Sequence, residues 1–288
     1  MDQPVTQQAW VGLRIEVSLA NTDEDIDRNI EYALTRKVIG FQDLVGKSEG
    51  AVSVVGSGPS LKDTWHRIED EGGDIIACNA AGQFLLERGI VPKYVFFFDA
   101  DPLMLEFITP HPDITYLVAS RCPPKAFDML EGCKVVMWHA MGDNHIMDIL
   151  VKHSRMEPLI SGGTAAITRG MVLAEPMGYR TIHLWGCDSS FKDGETHIRQ
   201  STTVEKRMPI MCGDRIFECA PWMAQQANDF KILAPALRDL YGVKIVVHGD
   251  GLIPHIAKLE GYDVDGEARS TQIWREAKVK ARTLWSQL

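Results

Sequence analysis

The chain has 288 residues and a formal net charge of −9, with 30 Lys and Arg against 39 Asp and Glu. Hydrophobic residues make up 45% and charged residues 24%, which excludes a disordered chain, a collagen and a coiled-coil rod. The acidic balance argues against a nucleic-acid substrate, because such binding runs on surplus Lys and Arg, and against an anionic membrane surface.

The N-terminus, MDQPVTQQAW, shows neither the basic n-region nor the apolar h-region of a secretory leader. No apolar run approaches the roughly 20 residues that span a bilayer. Six cysteines (Cys78, Cys122, Cys133, Cys187, Cys212 and Cys219) are scattered through apolar segments without a C-x-x-C pair. They read as small core residues of a cytoplasmic protein. There is no internal repeat and no low-complexity tract.

Residues 1–50 read as a mostly helical lead-in. Thr22 precedes the acids Asp23, Glu24 and Asp25, and Ile26, Ile30, Ala33 and Leu34 follow helical spacing. From Ala51 the pattern changes to short apolar runs alternating with amphipathic stretches. It predicts strands over 51–55, 74–78, 93–98, 115–119, 133–138, 180–185 and 243–248. It predicts helices over 61–70, 80–88, 144–153, 164–176 and 222–241. Such alternation implies a mostly parallel sheet covered on both faces, a Rossmann-like doubly wound α/β domain over 51–260. Residues 261–288 read as a helical tail, basic from Arg269 onward. In such a sheet ligands sit beyond the carboxyl ends of the strands, so the loop leaving each strand is the place to look for function.

After the first strand comes Gly56-Ser57-Gly58-Pro59-Ser60-Leu61. Two glycines allow a tight turn, Pro59 suits the first turn of a helix, and free N–H groups there would favour a phosphate. No Gly-Lys-Ser/Thr comes next, so this is not a P-loop, and Leu61 replaces the third glycine of a dinucleotide fingerprint. The competing reading is a strand-to-helix turn with no ligand. Asn79, after the second strand, would either read a base or ribose or cap the next helix. Asp99-Ala100-Asp101-Pro102, after the third, offers two carboxylates for Mg²⁺, or one aspartate capping a turn before Pro102. Ser161-Gly162-Gly163-Thr164 is a second glycine-rich helix start, either an anion or ribose cradle or an ordinary cap. Asp188 is a further strand-end carboxylate. The Asp193-Gly194 turn would swing His197 back over the mouth of the sheet, as general base or phosphate ligand, unless it is an exposed loop histidine. Cys187 beside Asp188 reads as packing, since nothing nearby would lower its pKa.

The runs VSVVGSGPSL, IIACNAAGQFLLERGIVPKYVFFFDADP and SGGTAAITRGMVLAEPMGYRTIHLWGCDSSFKDGETH together resemble the 6-hydroxymethylpterin diphosphokinase MptE-like family. The resemblance spans about residues 50–200. The same order is similar to bacterial sialyltransferases and the motility-associated flagellin glycosyltransferases, which use CMP-activated sugars; here Gly56-Ser57-Gly58 departs from their G-N-G. The resemblance implies a nucleotide-dependent transferase. In the pterin kinases ATP gives a pyrophosphoryl group to a hydroxyl acceptor with Mg²⁺. Carried over by position, Gly56, Ser57, Gly58 and Ser60 would contact nucleotide phosphate or ribose, and Gly162, Gly163 and Thr164 would form the second cradle. Asp99, Asp101 and Asp188 would meet Mg²⁺ or a substrate hydroxyl. The phosphates would also want a cation, for which Arg169, Arg199 and Lys192 are the candidates. The alternatives are a CMP-sugar-dependent glycosyltransferase and a non-catalytic nucleotide-binding protein, for instance a phage-encoded one. A homo-oligomer stays open.

Overall fold

The computed structural model describes residues 21–199 and 206–264. The tail predicted over 261–288 lies mostly outside them, as do the first 20 residues of the lead-in. Helix α1 (Asp23–Leu34) begins with a capping box between Thr22 and Asp25, and its three first-turn acids face the positive end of the helix dipole. Next come β1 (Ile39–Gly40), β2 (Ala51–Val55), α2 (Leu61–Thr64), β3 (Asp74–Cys78), α3 (Ala80–Leu86), β4 (Tyr94–Phe97), β5 (Thr115–Ala119), α4 (Pro124–Met129), β6 (Lys134–Ala140) and α5 (Ile146–Lys152). The second half holds β7 (Leu159–Ile160), α6 (Ala166–Met177), β8 (Thr181–Trp185), β9 (Met208–Cys212), β10 (Arg215–Cys219), α7 (Pro221–Tyr241), β11 (Lys244–Val247), α8 (Leu252–Leu259) and β12 (Asp263–Val264).

Ten of these strands form one sheet in the order β1-β6-β5-β4-β3-β2-β8-β11-β12, with β7 paired to β6 and every pairing in it parallel. From β2 the chain steps outward one strand at a time through β3, β4, β5 and β6. It then returns to lay β8 and β11 on the other side of β2. The strand order therefore reverses between β2 and β8, and a crevice opens at that point in a doubly wound sheet. The fold is the α/β Rossmann-like one the alternation predicts. Alternate residues of β2 and β8 feed two cores: Val52, Val54, Ile182 and Leu184 lie in one, Val55 and Trp185 in the other.

Three differences from the sequence pattern have physical causes. The helix expected over 61–70 is one α-turn, then 3₁₀ turns at Trp65–Arg67 and Glu69–Glu71. The Thr64 hydroxyl donates to the Ser60 carbonyl and competes with the regular ladder. The lead-in is not set apart from the sheet. Its β1 pairs with β6, and α1 packs on α4 and α5, with Asn29 Nδ2 donating to the Arg121 carbonyl at 2.9 Å. The antiparallel β9–β10 hairpin has no counterpart in the sequence pattern, because Pro209 demotes its first strand; the Gly213-Asp214 turn is the one available signal. No helix of the described residues is long and apolar enough to cross a membrane, and all six cysteines are free thiols.

Candidate functional site

The loop after β2 lies at the switch point, against the loop after β8. Three of its N–H groups are engaged. Gly56 N–H donates to the Trp185 carbonyl (2.7 Å) and Gly58 N–H to the Gly186 carbonyl (2.9 Å). Ser60 N–H donates to Asp188 Oδ2 (2.9 Å). A Cβ on Gly58 would lie 2.4 Å from Asp188 Oδ2 and 2.6 Å from the Gly186 carbonyl oxygen, so glycine is required for the two loops to meet. Asp188 is 3% exposed, and the Gly249–Gly251 turn after β11 closes over it from behind. Burial raises its pKa. Asp188 thus fills the Ser60 side of the expected phosphate cradle. Asp188 sits at the hub of three loops rather than at the crevice surface. Ser57 is the partly exposed side chain of the loop.

The second glycine loop behaves the same way. Thr164 donates from N–H (2.7 Å) and hydroxyl (2.8 Å) to Asp229 Oδ2, a buried carboxylate on α7. Gln225 Nε2 holds the other oxygen at 2.9 Å. Gly163 has φ +78°, and a Cβ there would meet Asp229 Oδ2 at 2.6 Å. Gly162 is buried against Arg169. The anion expected at this helix start is Asp229.

Asn79 and Asp99 form a pair at the ends of β3 and β4. Asn79 stands at the start of α3 with φ 49° and ψ −123°, a conformation that costs a non-glycine residue on the order of 1–3 kcal/mol. Its side chain makes no cap. Instead Nδ2 donates to Asp99 Oδ2 at 3.0 Å, and its Oδ1 is buried with no partner among the described residues. Burial raises the Asp99 pKa; the Asn79 hydrogen bond and the Arg121 charge work against it, and the Asp101 charge works with it. Asp101 takes the capping role, its Oδ1 accepting from Leu103 N–H at 2.9 Å ahead of the 3₁₀ helix Pro102–Phe107.

Beside Asp99, two guanidiniums lie on Phe98: Arg121 at 4.8 Å and Arg169 at 4.4 Å from the ring centre. Arg121 pairs with buried Asp143 at 2.7 Å. Arg169 donates to the Ile160 (2.8 Å) and Met141 (3.2 Å) carbonyls, and burial beside the like-charged Arg121 lowers its pKa to about 10. Of the three cations expected near phosphates, Arg169 therefore serves the backbone, Lys192 pairs with Asp63 and Arg199 with Glu87. The cation that does reach this region is Arg121. It stands two residues past β5, a strand-end position whose signal is its place in the chain alone, since no motif surrounds it.

His197 is carried by the segment after β8. Asp193 (φ 51°) and Gly194 (φ 82°) form a tight turn under a Lys192–Glu195 bridge. Lys62 pairs with Glu195, and Ile198 N–H donates to the Ser57 carbonyl at 2.8 Å, which folds the segment back onto the first glycine loop. His197 is partly buried, stacked on Trp222 with ring centres 5.6 Å apart, and its Nδ1 lies 2.9 Å from the Thr196 hydroxyl.

The fold is shared with the MAf glycosyltransferase from Magnetospirillum magneticum AMB-1: TM-score 0.62 and 15% identity over 92% of this chain and 43% of that one. The chain thus spans less than half the length of that protein. A mammalian sialyltransferase matches with a TM-score of 0.40 and 14% identity over 82% of each chain. No curated protein matches the sequence. The family model described as 6-hydroxymethylpterin diphosphokinase MptE-like matches residues 26–194. That span is more than half of the chain and takes in both glycine loops, Asn79, Asp99 and Asp188. The chain belongs to the 6-hydroxymethylpterin diphosphokinase MptE-like family.

Proposed function

We propose that this protein is a nucleotide-dependent transferase that moves a pyrophosphoryl group from ATP to a small hydroxyl acceptor, with Mg²⁺ at Asp99. The observation that carries the reading is Asp99 itself. It is a desolvated carboxylate at the end of a central strand, with no ion pair among the described residues and a second carboxylate, Asp101, adding to its charge burden. A divalent cation relieves that arrangement, and Mg²⁺ is commonly held by one or two carboxylates plus substrate phosphates. Each aspartate keeps an oxygen beyond the one bonded to Asn79 or Leu103, so the residues present fit the ion.

When bound, Mg²⁺ would neutralise the phosphate charge that builds during transfer. The chain's own part is positioning. The loop after β2 is held in place by the N–H bonds of Gly56, Gly58 and Ser60. Asn79 holds the Asp99 carboxylate in one orientation. Asp99 keeps its second carboxylate oxygen for the ion, and Asp101 keeps one of its own. Arg121, although shared with Asp143, contributes positive potential beside it.

A second reading is transfer of a sugar from a CMP-activated donor. It is favoured by His197, folded over Ser57 and stacked on Trp222, which would act as the base on an acceptor hydroxyl.

Thermal shifts against ATP, ADP, AMP, CTP and CMP, each with and without Mg²⁺, separate the two. A ligand at 100 times its Kd raises the Tm by about 4–5 °C for a chain of this size. The pyrophosphoryl reading expects a Mg²⁺-dependent shift with ATP that Asp99→Asn loses, and then AMP formation with a hydroxylated pterin. A shift with CMP alone, and activity lost in His197→Ala, moves the assignment to glycosyl transfer. Flat curves throughout reject both.

A further inference from the structure

On the face of the sheet that carries Val55 and Trp185, three side chains from three separate elements converge. Glu71 comes from the 3₁₀ turn Glu69–Glu71, His183 from the middle of β8, and His248 from the residue just after β11. One ligand atom of each lies within 4.8 Å of the others. His183 Nδ1 is 3.0 Å from His248 Nε2 and 3.7 Å from Glu71 Oε2. His248 is fully buried, and the side chains of His183 and Glu71 are 9% and 10% exposed. Trp185 stacks flat on the His248 ring at 3.6 Å, which fixes the ring plane.

We infer that Glu71, His183 and His248 form a binding site for a divalent ion of the zinc class. Two imidazole nitrogens and one carboxylate are a donor set that zinc takes readily, whereas Mg²⁺ prefers six oxygens. An ion about 2.1 Å from His183 Nδ1 and from each of its two neighbours would see His183 and His248 at an angle of about 91°, and His183 and Glu71 at about 124°. These bracket the tetrahedral value and leave a fourth position for water. The separation of the three elements in sequence gives the site a structural consequence. The ion would tie the turn after α2 to β8 and β11, directly behind Gly249, which packs against Ser60 and Asp188. It would stiffen the back of the first glycine loop without touching the crevice.

The test uses the full chain, untagged and stripped with a chelator, titrated with Co²⁺ and read by its visible absorption. The expected result is one equivalent of Co²⁺ with a tetrahedral spectrum, displaced by Zn²⁺ and not by Mg²⁺, and a Tm that rises by about 5–10 °C with saturating Zn²⁺. Glu71→Gln and His248→Gln, checked for folding by circular dichroism, lose the spectrum. His153→Gln, which alters the surface pair with Glu31, keeps it. No tetrahedral spectrum in the wild-type chain overturns the site even if the variants fail to fold. A spectrum that survives in folded Glu71→Gln and His248→Gln places the ion elsewhere and overturns it equally.

Discussion

Asp99 and Asn79 show how a single residue trades stability for readiness. Burial raises the Asp99 pKa, so its contribution to stability is complete below the ordinary carboxylate range and is lost as pH rises through the higher folded value. Asp99→Asn removes the desolvated charge and keeps an oxygen for Asn79. The variant is therefore expected to melt above the wild type at pH 7, with the gain shrinking toward pH 4, while transfer falls by about 10²-fold or more. Melting curves across that range, beside a turnover assay, check both halves. A variant less stable than wild type at pH 7 would show that the carboxylate is compensated. Asp99 is legible in the sequence because it comes directly after an apolar run that reads as a buried strand. The Asn79 bond to it is not, because the pair joins two strand ends 20 residues apart, and the choice between capping and recognition depends on a backbone angle no pattern reveals.

At the scale of elements, the two glycine loops share one device. Each presents donors at a helix start, and each is met by a carboxylate from elsewhere in the chain, Asp188 for the first and Asp229 for the second. The glycines are legible as positions of close approach. Their neighbours are not: Asp229 lies 65 residues beyond Thr164 in the middle of a long helix, with nothing local to mark it. Asp229→Ala leaves the Thr164 donors unpaired and is expected to cost about 1–3 kcal/mol. It also opens the anion site that the sequence suggests. Sulfate should raise the Tm of the variant by more than the general stabilisation it gives the wild type, and that excess measures anion binding. Equal responses in the two proteins would mean that the loop does not take an anion even when vacated.

For the whole molecule, the parallel sheet is legible almost strand by strand. Ala51–Val55, Asp74–Cys78 and Thr115–Ala119 stand where the apolar runs place them, because strands buried on both faces carry continuous hydrophobic sequence. The order of the strands is not, since periodicity does not say which neighbour a strand chooses, and the short edge strand β1 is too brief to leave a signal. Its pairing with β6, and the packing of α1 on α4 and α5, make the described part of the lead-in a component of the core. A chain starting at Ala51 would expose the edge of β6 and the faces that α1 covers, an invitation to edge-to-edge association. It is expected to aggregate or to lose its near-ultraviolet circular dichroism. Cooperative melting of a monomeric truncated chain would show the lead-in to be dispensable.

The segment that carries His197 is fastened at its tip by Lys62–Glu195 and Lys192–Asp63, pairs of long side chains at the surface. Such contacts are individually weak and are screened within about 8–10 Å at physiological salt. Added salt is therefore expected to loosen the tip alone, since the Ile198 bond to the Ser57 carbonyl and the stack of His197 on Trp222 do not depend on charge pairs. The covering over Ser57 becomes a flap frayed at its rim and pinned at its root.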